Sequence, residues 1–408
     1  MGSGATTASA STALAERALA PDLARGGLLL FIAIANSSWY LWGGDSRDLS
    51  GWPLATDPAD LIVQSVSLIA IDGRSYPMFA ALFGYGMWQL YSRQLAAGSD
   101  HRRAARLLRT RHLWMLAFGF VHAALLWGGD ILGAYGLAGL LVGALFLTRT
   151  DRTIRRWIAV FTTLVITVTV VTLGAGLALA VEGFGEDGTY SSVEQGLGIA
   201  QPAYLVSIVE RVVAWTSLTI VQVALLAVPL MMLIAIRAAR ARVLEEPREH
   251  RALLRRTAII GVTVGWLGGV PTAAQNLDLL DIPSSLDWMF AGFHAATGLA
   301  GGLGYVAVFG LVAARVTEPG LVLSAIRAMG SRSLTFYLAQ SLAFAPVMSA
   351  WGLGLGEYLS SWSIVLYAAG VWTISVVIAG MLGRRDIRGP AETLLRKLTY
   401  RATGTLAA

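Results

Sequence analysis

Apolar runs long enough to cross a lipid bilayer alternate with short arginine-bearing segments along most of this chain. The runs lie at 26–43, 74–93, 111–128, 131–148, 157–181, 212–236, 256–273, 289–314, 332–350 and 361–383. Each is close to or beyond the roughly 20 residues that a helix needs to span the hydrocarbon core. A further apolar stretch, 58–71, either extends the second run or lies in the outer interface, and Asp72-Gly73-Arg74 marks the break at its end. The pattern predicts an all-α fold, a polytopic integral membrane bundle of about ten transmembrane helices over residues 24–384. Residues 1–23 are rich in Ala, Ser, Thr and Gly and lack an apolar core, so a disordered cytoplasmic tail is expected there rather than a signal peptide. Met1-Gly2-Ser3-Gly4-Ala5-Thr6 fits a myristoylation pattern only in form. Residues 385–408 form a basic cytoplasmic segment, and no fixed-period repeat is visible.

Charge then orients the bundle. Basic residues cluster between alternate runs: Arg17 and Arg25 first, then Arg93 to Arg111, Arg149 to Arg156, Arg237 to Arg256, Arg315 to Arg332, and the tail from Arg384 to Arg401. These clusters hold 28 of the 31 Lys and Arg residues, leaving Arg47, Arg74 and Arg211. By the positive-inside rule both termini are cytoplasmic. The opposite loops are acidic, with Asp45, Asp48 and Asp57, then Glu186, Asp187 and Glu194, then Asp278, Asp281 and Asp287. Trp39, Trp42, Trp52, Trp127, Trp288, Trp351 and Trp362 fall near the outer ends of runs, as an aromatic belt would. The chain is expected in the plasma membrane, the inner membrane of a bacterium.

Composition agrees. Of 408 residues 55% are hydrophobic and 14% charged, with mean hydropathy +0.62, against roughly 25% charged in a soluble domain. The net charge of +6 is accounted for by topology, so no nucleic-acid partner is expected. The absence of cysteine excludes disulfides and thiol chemistry, and with only five histidines no metal site is expected.

Polar groups within apolar runs cost free energy and are functional candidates. Arg25 to Asn36 and Arg111 to His122 are each eleven residues, about 16 Å of helix, which places Asn36 and His122 at one level near the midplane. Gln340, eight residues beyond Arg332, lies about 12 Å in, with Tyr337 and Ser341 as helical neighbours. Arg74 and Asp130 sit higher, at about 28 Å, where opposite charges can pair as a structural clamp or as a binding site. His294 belongs to that outer tier, where it packs or faces water. His101, His112 and His250 lie among cytoplasmic arginines and read as solvated. Asn36 and His122 also have a structural reading, as helix–helix hydrogen bonds.

The stretch Arg111–Leu140, RHLWMLAFGFVHAALLWGGDILGAYGLAGL, resembles the hallmark of the YeiB-like membrane proteins (domain of unknown function 418). Gly119 and His122 match its G-x-x-H, Gly129 to Leu132 its G-D-I-L, and Tyr135-Gly136 its Tyr-Gly step. Asp22 to Gly26 followed by Asn36 resembles the family's first helix. Arg74 with Phe79, Leu82-Phe83-Gly84 and Gly86 resembles its basic residue before F-x-x-L-F-G-x-G. Gly330, Leu334-Thr335, Tyr337 and Gln340-Ser341 resemble G-x-x-x-L-T-x-Y-x-x-Q-S, and Gly389-Pro390, Glu392, Arg396 and Leu398-Thr399 resemble the terminal G-P-x-E-x-x-x-R-x-L-T. The first helix also resembles that of the transmembrane acyltransferase superfamily, which includes the lysosomal heparan-glucosaminide N-acetyltransferase. Arg25, Gly26 and Asn36 match its R-G-x(9)-N. The resemblance implies transfer of an acyl group, acetyl in the first instance, from cytosolic acyl-CoA to a small-molecule or glycan acceptor on the far side. Where the heparan enzyme has its histidine soon after that asparagine, this chain has none between Asn36 and His101, so His122 would take the role from the third helix.

A thioester needs a base for the acceptor and donors for the developing oxyanion. On this reading His122 is the base and Asn36 or Gln340 serves the oxyanion. Arg25 and Arg111 hold the donor's phosphates, and Arg74, Asp130, Tyr337 and Gln340 line the acceptor site. A transporter is the main rival, because carriers use broken helices with polar groups at the midplane. A non-catalytic membrane scaffold is the third reading. Membrane lipids are the surrounding partners, and a homodimer is compatible with the sequence.

Overall fold

The computed structural model describes residues 18–46, 51–186, 190–191, 197–280 and 282–402. Arg17, Arg47, Asp48, Asp187, Glu194, Asp281 and the Met1–Thr6 segment lie outside them. The described chain is helical throughout apart from a two-residue antiparallel ladder that joins β1 (Asp45–Ser46) to β2 (Tyr190–Ser191). The first helices are α1 (Leu19–Ser37), α2 (Pro58–Ala70), α3 (Ser75–Ala96), α4 (His101–Leu125) and α5 (Leu132–Phe146). Next come α6 (Asp151–Val181), α7 (Tyr204–Ala224), α8 (Ala227–Arg240), α9 (Arg251–Asn276) and α10 (Trp288–Arg315). The chain ends with α11 (Leu321–Gly330), α12 (Ser333–Met348), α13 (Ser361–Arg384) and α14 (Pro390–Ala402).

Six of these are long and apolar enough to cross a membrane: α1 with its extension to Tyr40, α6, α7, α9, α10 and α13. Helices α5, α11 and α12 are apolar but shorter. Every apolar run read from the sequence falls on helix. Helix α6 is apolar on all sides and mostly exposed, with only Ile154, Phe161 and Gly176 buried, the signature of a helix whose solvent is lipid. By contrast α8 is buried almost all round, and Gly84 of α3 lies so close to Met232 that a Cβ there would come within 2.7 Å of its Cα.

Two boundaries differ from the hydropathy pattern, at α1 and at α7–α8, and the open reading of residues 58–71 resolves into a separate helix. Helix α1 begins at Leu19, before the apolar run, because Leu23 and Ala24 are buried and the chain packs backbone to backbone on α11 at Gly330. Residues 58–70 form their own helix, with Pro58 at its first position and Asp57 accepting from Ala59 N (2.7 Å) and Asp60 N (3.0 Å). The run 212–236 is two helices, not one. The chain turns at Leu226, which takes φ +64, and Pro229, lacking an N–H, sits in the first turn of α8.

Among the described residues three arginines are buried outright, and each serves helix carbonyls. Arg211 donates to Ala124 O at the end of α4 (2.9 Å). Arg332 donates to Ala328 O at the end of α11 (2.8 Å) and to Ile387 O after α13 (2.6 Å). Arg74, just before α3, donates to Asp72 O and Gly265 O. Ala124 and Ala328 lie in the last turns of their helices, where carbonyls lack intrahelical donors and carry the negative end of the dipole, so a guanidinium satisfies both needs there; Gly265 lies inside α9. The expected aromatic belt is only partly realised: Trp52 and Trp127 are fully buried inside the protein.

Candidate functional site: a histidine–aspartate pair at the α4–α5 turn

Helix α4 ends at Leu125, and Leu126 N and Trp127 N both return to His122 O (2.8 and 3.1 Å). The chain therefore doubles back immediately after His122, and Asp130 in the turn comes to lie beside it. His122 Nδ1 is 2.7 Å from Asp130 Oδ2, and the two side chains are 2% and 0% exposed. The two tiers inferred from helical rise are thus one site. A rise of 1.5 Å per residue applies only to unbroken helix, and the helix stops between these two residues.

Both carboxylate oxygens are used. Asp130 Oδ1 accepts from Gly133 N (3.0 Å) and from the Trp215 indole N–H on α7 (3.1 Å). Oδ2 faces His122 and also accepts from the Tyr337 hydroxyl on α12 (3.3 Å). Tyr337 receives Ile131 N in turn (3.2 Å), and its ring centre is 5.3 Å from that of His122. His122 Nε2 is buried and has no hydrogen-bond partner among the described residues. Asp130 thus fixes the ring from one nitrogen and leaves the other free. Close packing makes this possible: a Cβ on Gly119 would fall 2.5 Å from Asp130 Oδ1 and from Gly133 N, so only glycine fits the α4–α5 contact.

The two C-terminal motifs meet across 57 residues to hold α12 in place. Glu392 on α14 accepts from Leu334 N (2.8 Å), Thr335 N (3.2 Å) and the Thr335 hydroxyl (2.5 Å). A carboxylate on the free N–H groups of a helix start satisfies them and opposes the dipole. Gln340, one turn beyond Tyr337, donates to Leu29 O (2.9 Å), and its Oε1 is buried without a partner among the described residues.

Arg74 does not pair with Asp130. Its Nη1 is 2.6 Å from His294 Nε2, which is itself 2.9 Å from Asp72 O. Asp72 accepts from the Trp52 indole N–H (2.9 Å). Gly73, at φ +74, permits the turn, and any Cβ there would strike the His294 ring. His294 is therefore held by Arg74, not left to pack or face water. His112 is another correction: it is 2% exposed, against Gly139 and Phe83, not solvated.

Asn36 is half-buried on α1, and no hydrogen bond joins it to His122 among the described residues. Arg25 donates to Asp22 (3.2 Å) and Leu82 O (3.2 Å). Arg111 is half-buried in the field of Arg25 and Arg93, with Tyr400 and Glu392 of α14 also near. Three clustered guanidiniums suit an anion. Trp215 was not legible as a site residue, being one apolar residue in an apolar run. Its hydrogen bond depends on α7 crossing α4 and α5. Among the described residues no group of three or more His, Asp or Glu is placed to hold a metal ion.

Residues 238–402 match the family described as "Protein of unknown function (DUF418)". That stretch includes Tyr337, Gln340 and Glu392, while His122 and Asp130 precede it. Similarity to two bacterial proteins extends over nearly the whole chain. The uncharacterized protein YxaH of Bacillus subtilis (strain 168) is 26% identical, over 94% of this chain and 94% of its own. The uncharacterized protein YeiB of Escherichia coli (strain K12) is also 26% identical, over 95% of this chain and 98% of its own. Residues 238–402 thus match the domain of unknown function 418, and the chain is similar over nearly its whole length to YeiB-like proteins.

Proposed function

We propose that this protein is a membrane-embedded acyltransferase that moves an acyl group, in the first instance acetyl, from cytosolic acyl-CoA to an acceptor at the outer face. The observation that carries the reading is the buried His122–Asp130 pair with Nε2 of His122 unpartnered. In this reading the chain crosses the plasma membrane about ten times with both termini inside, α7 and α8 together forming one broken crossing.

Nε2 of His122 takes the proton from an acceptor hydroxyl or amine as that atom attacks the thioester carbonyl. The carbon–sulfur bond then breaks, and the same proton passes to the departing thiolate, releasing free CoA. Asp130 holds the ring and stabilises the imidazolium that forms between these steps. Tyr337 donates to Asp130 and orders the wall beside it, and Gln340 or Asn36 supplies an amide to the oxyanion. Arg25 and Arg111, with Arg93 beside them, hold the donor's phosphates. Its pantetheine arm then spans the eleven residues from Arg111 to His122, about 16 Å.

A transporter is the second reading, favoured by the break at Leu226 and by the turn at Asp72–Arg74. Acyl-CoA consumption by purified protein, scaled to folded molecules, separates the two. The acyltransferase consumes acyl-CoA and His122→Ala does not. No consumption by the wild type in the presence of a range of hydroxyl and amine acceptors removes the enzyme reading.

A further inference from the structure

A second site lies at the inner end of the helices, away from the His122–Asp130 pair. The last turns of α3 and α8 and the starts of α4 and α6 border an open, shallow cleft of about 540 Å³. Its walls include Trp88, Tyr91, His101, Arg149, Asp151 and Arg240. Arg240 stacks over Trp88, 4.4 Å from guanidinium to ring centre, and is anchored by Asp151 (2.6 Å) and by Leu147 O (3.0 Å). Its Nε is buried without a partner among the described residues. Arg149 uses Nε on Leu145 O (3.1 Å) and keeps its amino groups for other partners. His101 accepts or donates at Tyr91 OH, 2.8 Å away. One acid faces two arginines and a histidine, so the cleft favours an anion.

Apolar side chains lie beside this cleft. Buried Leu147 lines it, and the adjacent buried Phe146 meets Trp157 and Phe161 of α6 edge to face at 5.7 and 6.4 Å. From Trp157 an exposed stripe continues along α6 through Val160, Leu164, Val168 and Val171, spaced by three and four residues. A free phosphate or a nucleotide would use the cleft alone. A molecule with an anionic head and a hydrocarbon tail matches both features in their observed order. We infer that this cleft binds the phosphodiester headgroup of an anionic phospholipid, with an acyl chain lying along the Trp157–Val171 stripe. Basic pockets between helices at the inner face are suited to such headgroups. The inference is independent of acyl transfer and uses none of the residues assigned to it.

Native mass spectrometry of the purified full chain, titrated with phosphatidylglycerol or phosphatidylcholine, tests it. Phosphatidylglycerol should bind the wild type more tightly than phosphatidylcholine. Arg149→Ala should weaken the anionic lipid by about fivefold, as expected for one basic residue at a membrane surface. Arg149→Lys should retain it, and Arg255→Ala, at an exposed inner position outside the cleft, should leave it unchanged. Equal binding of the two lipids overturns the proposal, as does equal loss in Arg149→Ala and Arg255→Ala. Inorganic phosphate and AMP serve as soluble probes in thermal unfolding. An Arg149-dependent rise in Tm with either one, without selectivity for phosphatidylglycerol, assigns the cleft to a soluble phosphate and also overturns it.

Discussion

Two histidines near helix ends, His122 buried and His294 half-buried, are wired in opposite ways. His122 faces a carboxylate whose remaining contacts come from Gly133 N, the Trp215 indole and the Tyr337 hydroxyl, and its second nitrogen is unengaged. His294 faces a guanidinium, and its Nε2 lies against both Arg74 and the Asp72 carbonyl. On the proposed function the first arrangement serves the base, with one ring nitrogen held and the other open. The second fixes a turn, and the chemistry of the site follows from the partner rather than from the histidine.

The largest effect separates these two directly. His122→Ala should lower acyl transfer per folded molecule by about 10²–10⁴-fold, the usual contribution of a positioned base. His294→Ala should keep turnover near wild type and lower Tm instead. Comparable turnover losses in the two variants would erase the distinction. Next in size is Arg74→Met. It removes the donor to the Asp72 carbonyl in the α2–α3 turn and to the Gly265 carbonyl inside α9, and should cost on the order of 3 kcal/mol in unfolding, read by thermal or denaturant unfolding in detergent.

Double-mutant cycles sharpen the comparison further. Asp130→Asn and His122→Ala share a contact and should couple by about 0.5–3 kcal/mol, whereas Asp130→Asn and Arg74→Met should add to within about 0.5 kcal/mol. Coupling in the second pair and none in the first would mean that Asp130 and Arg74 meet after all. Glu392→Ala should cost about 1–2 kcal/mol, by removing the acceptor from the first turn of α12, and hydrogen exchange at Leu334 and Thr335 should quicken.

The smallest expected effect lies outside the membrane, at Asp100. The Arg103 backbone N–H holds its carboxyl below the ordinary carboxylate value. A group with a lowered folded pKa contributes stability above its unfolded value, about 3.9, and loses it as pH falls through the folded one. Protection of the Arg103 amide, its exchange taken relative to the intrinsic rate at each pH, should therefore fall on acidification below pH about 4, and Asp100→Asn should abolish that dependence.

Much of this was readable from residues, and the gaps have physical causes. The apolar runs fall on helices because burial in lipid and burial in protein both demand apolar side chains. They do not mark where protein takes over from lipid, so the start of α1 was displaced and the α7–α8 break missed, whereas the break after α2 was read at Asp72-Gly73-Arg74. Pro229 was the available signal for that last break. His122 and Asp130 were both singled out, but counting helical rise separated them because the count ran on to Asp130 past the Gly128-Gly129 break between the two runs. Asp130 was matched to Arg74 on depth and charge alone. Its actual neighbours, Trp215 and Tyr337, lie 85 and 207 residues away. A tertiary contact of that range leaves no periodic trace.

The carboxylate on α12 also imposes an order on biosynthesis. Thr335 waits for a partner made 57 residues later, with the whole of α13 translated in between. Until then α12 enters the bundle with an open first turn, and the wall carrying Tyr337 is unsecured at its base. A chain halted between α13 and α14 would hold His122 and Asp130 in place yet lack that closing latch. Completion of the site is therefore a late event in the making of the chain.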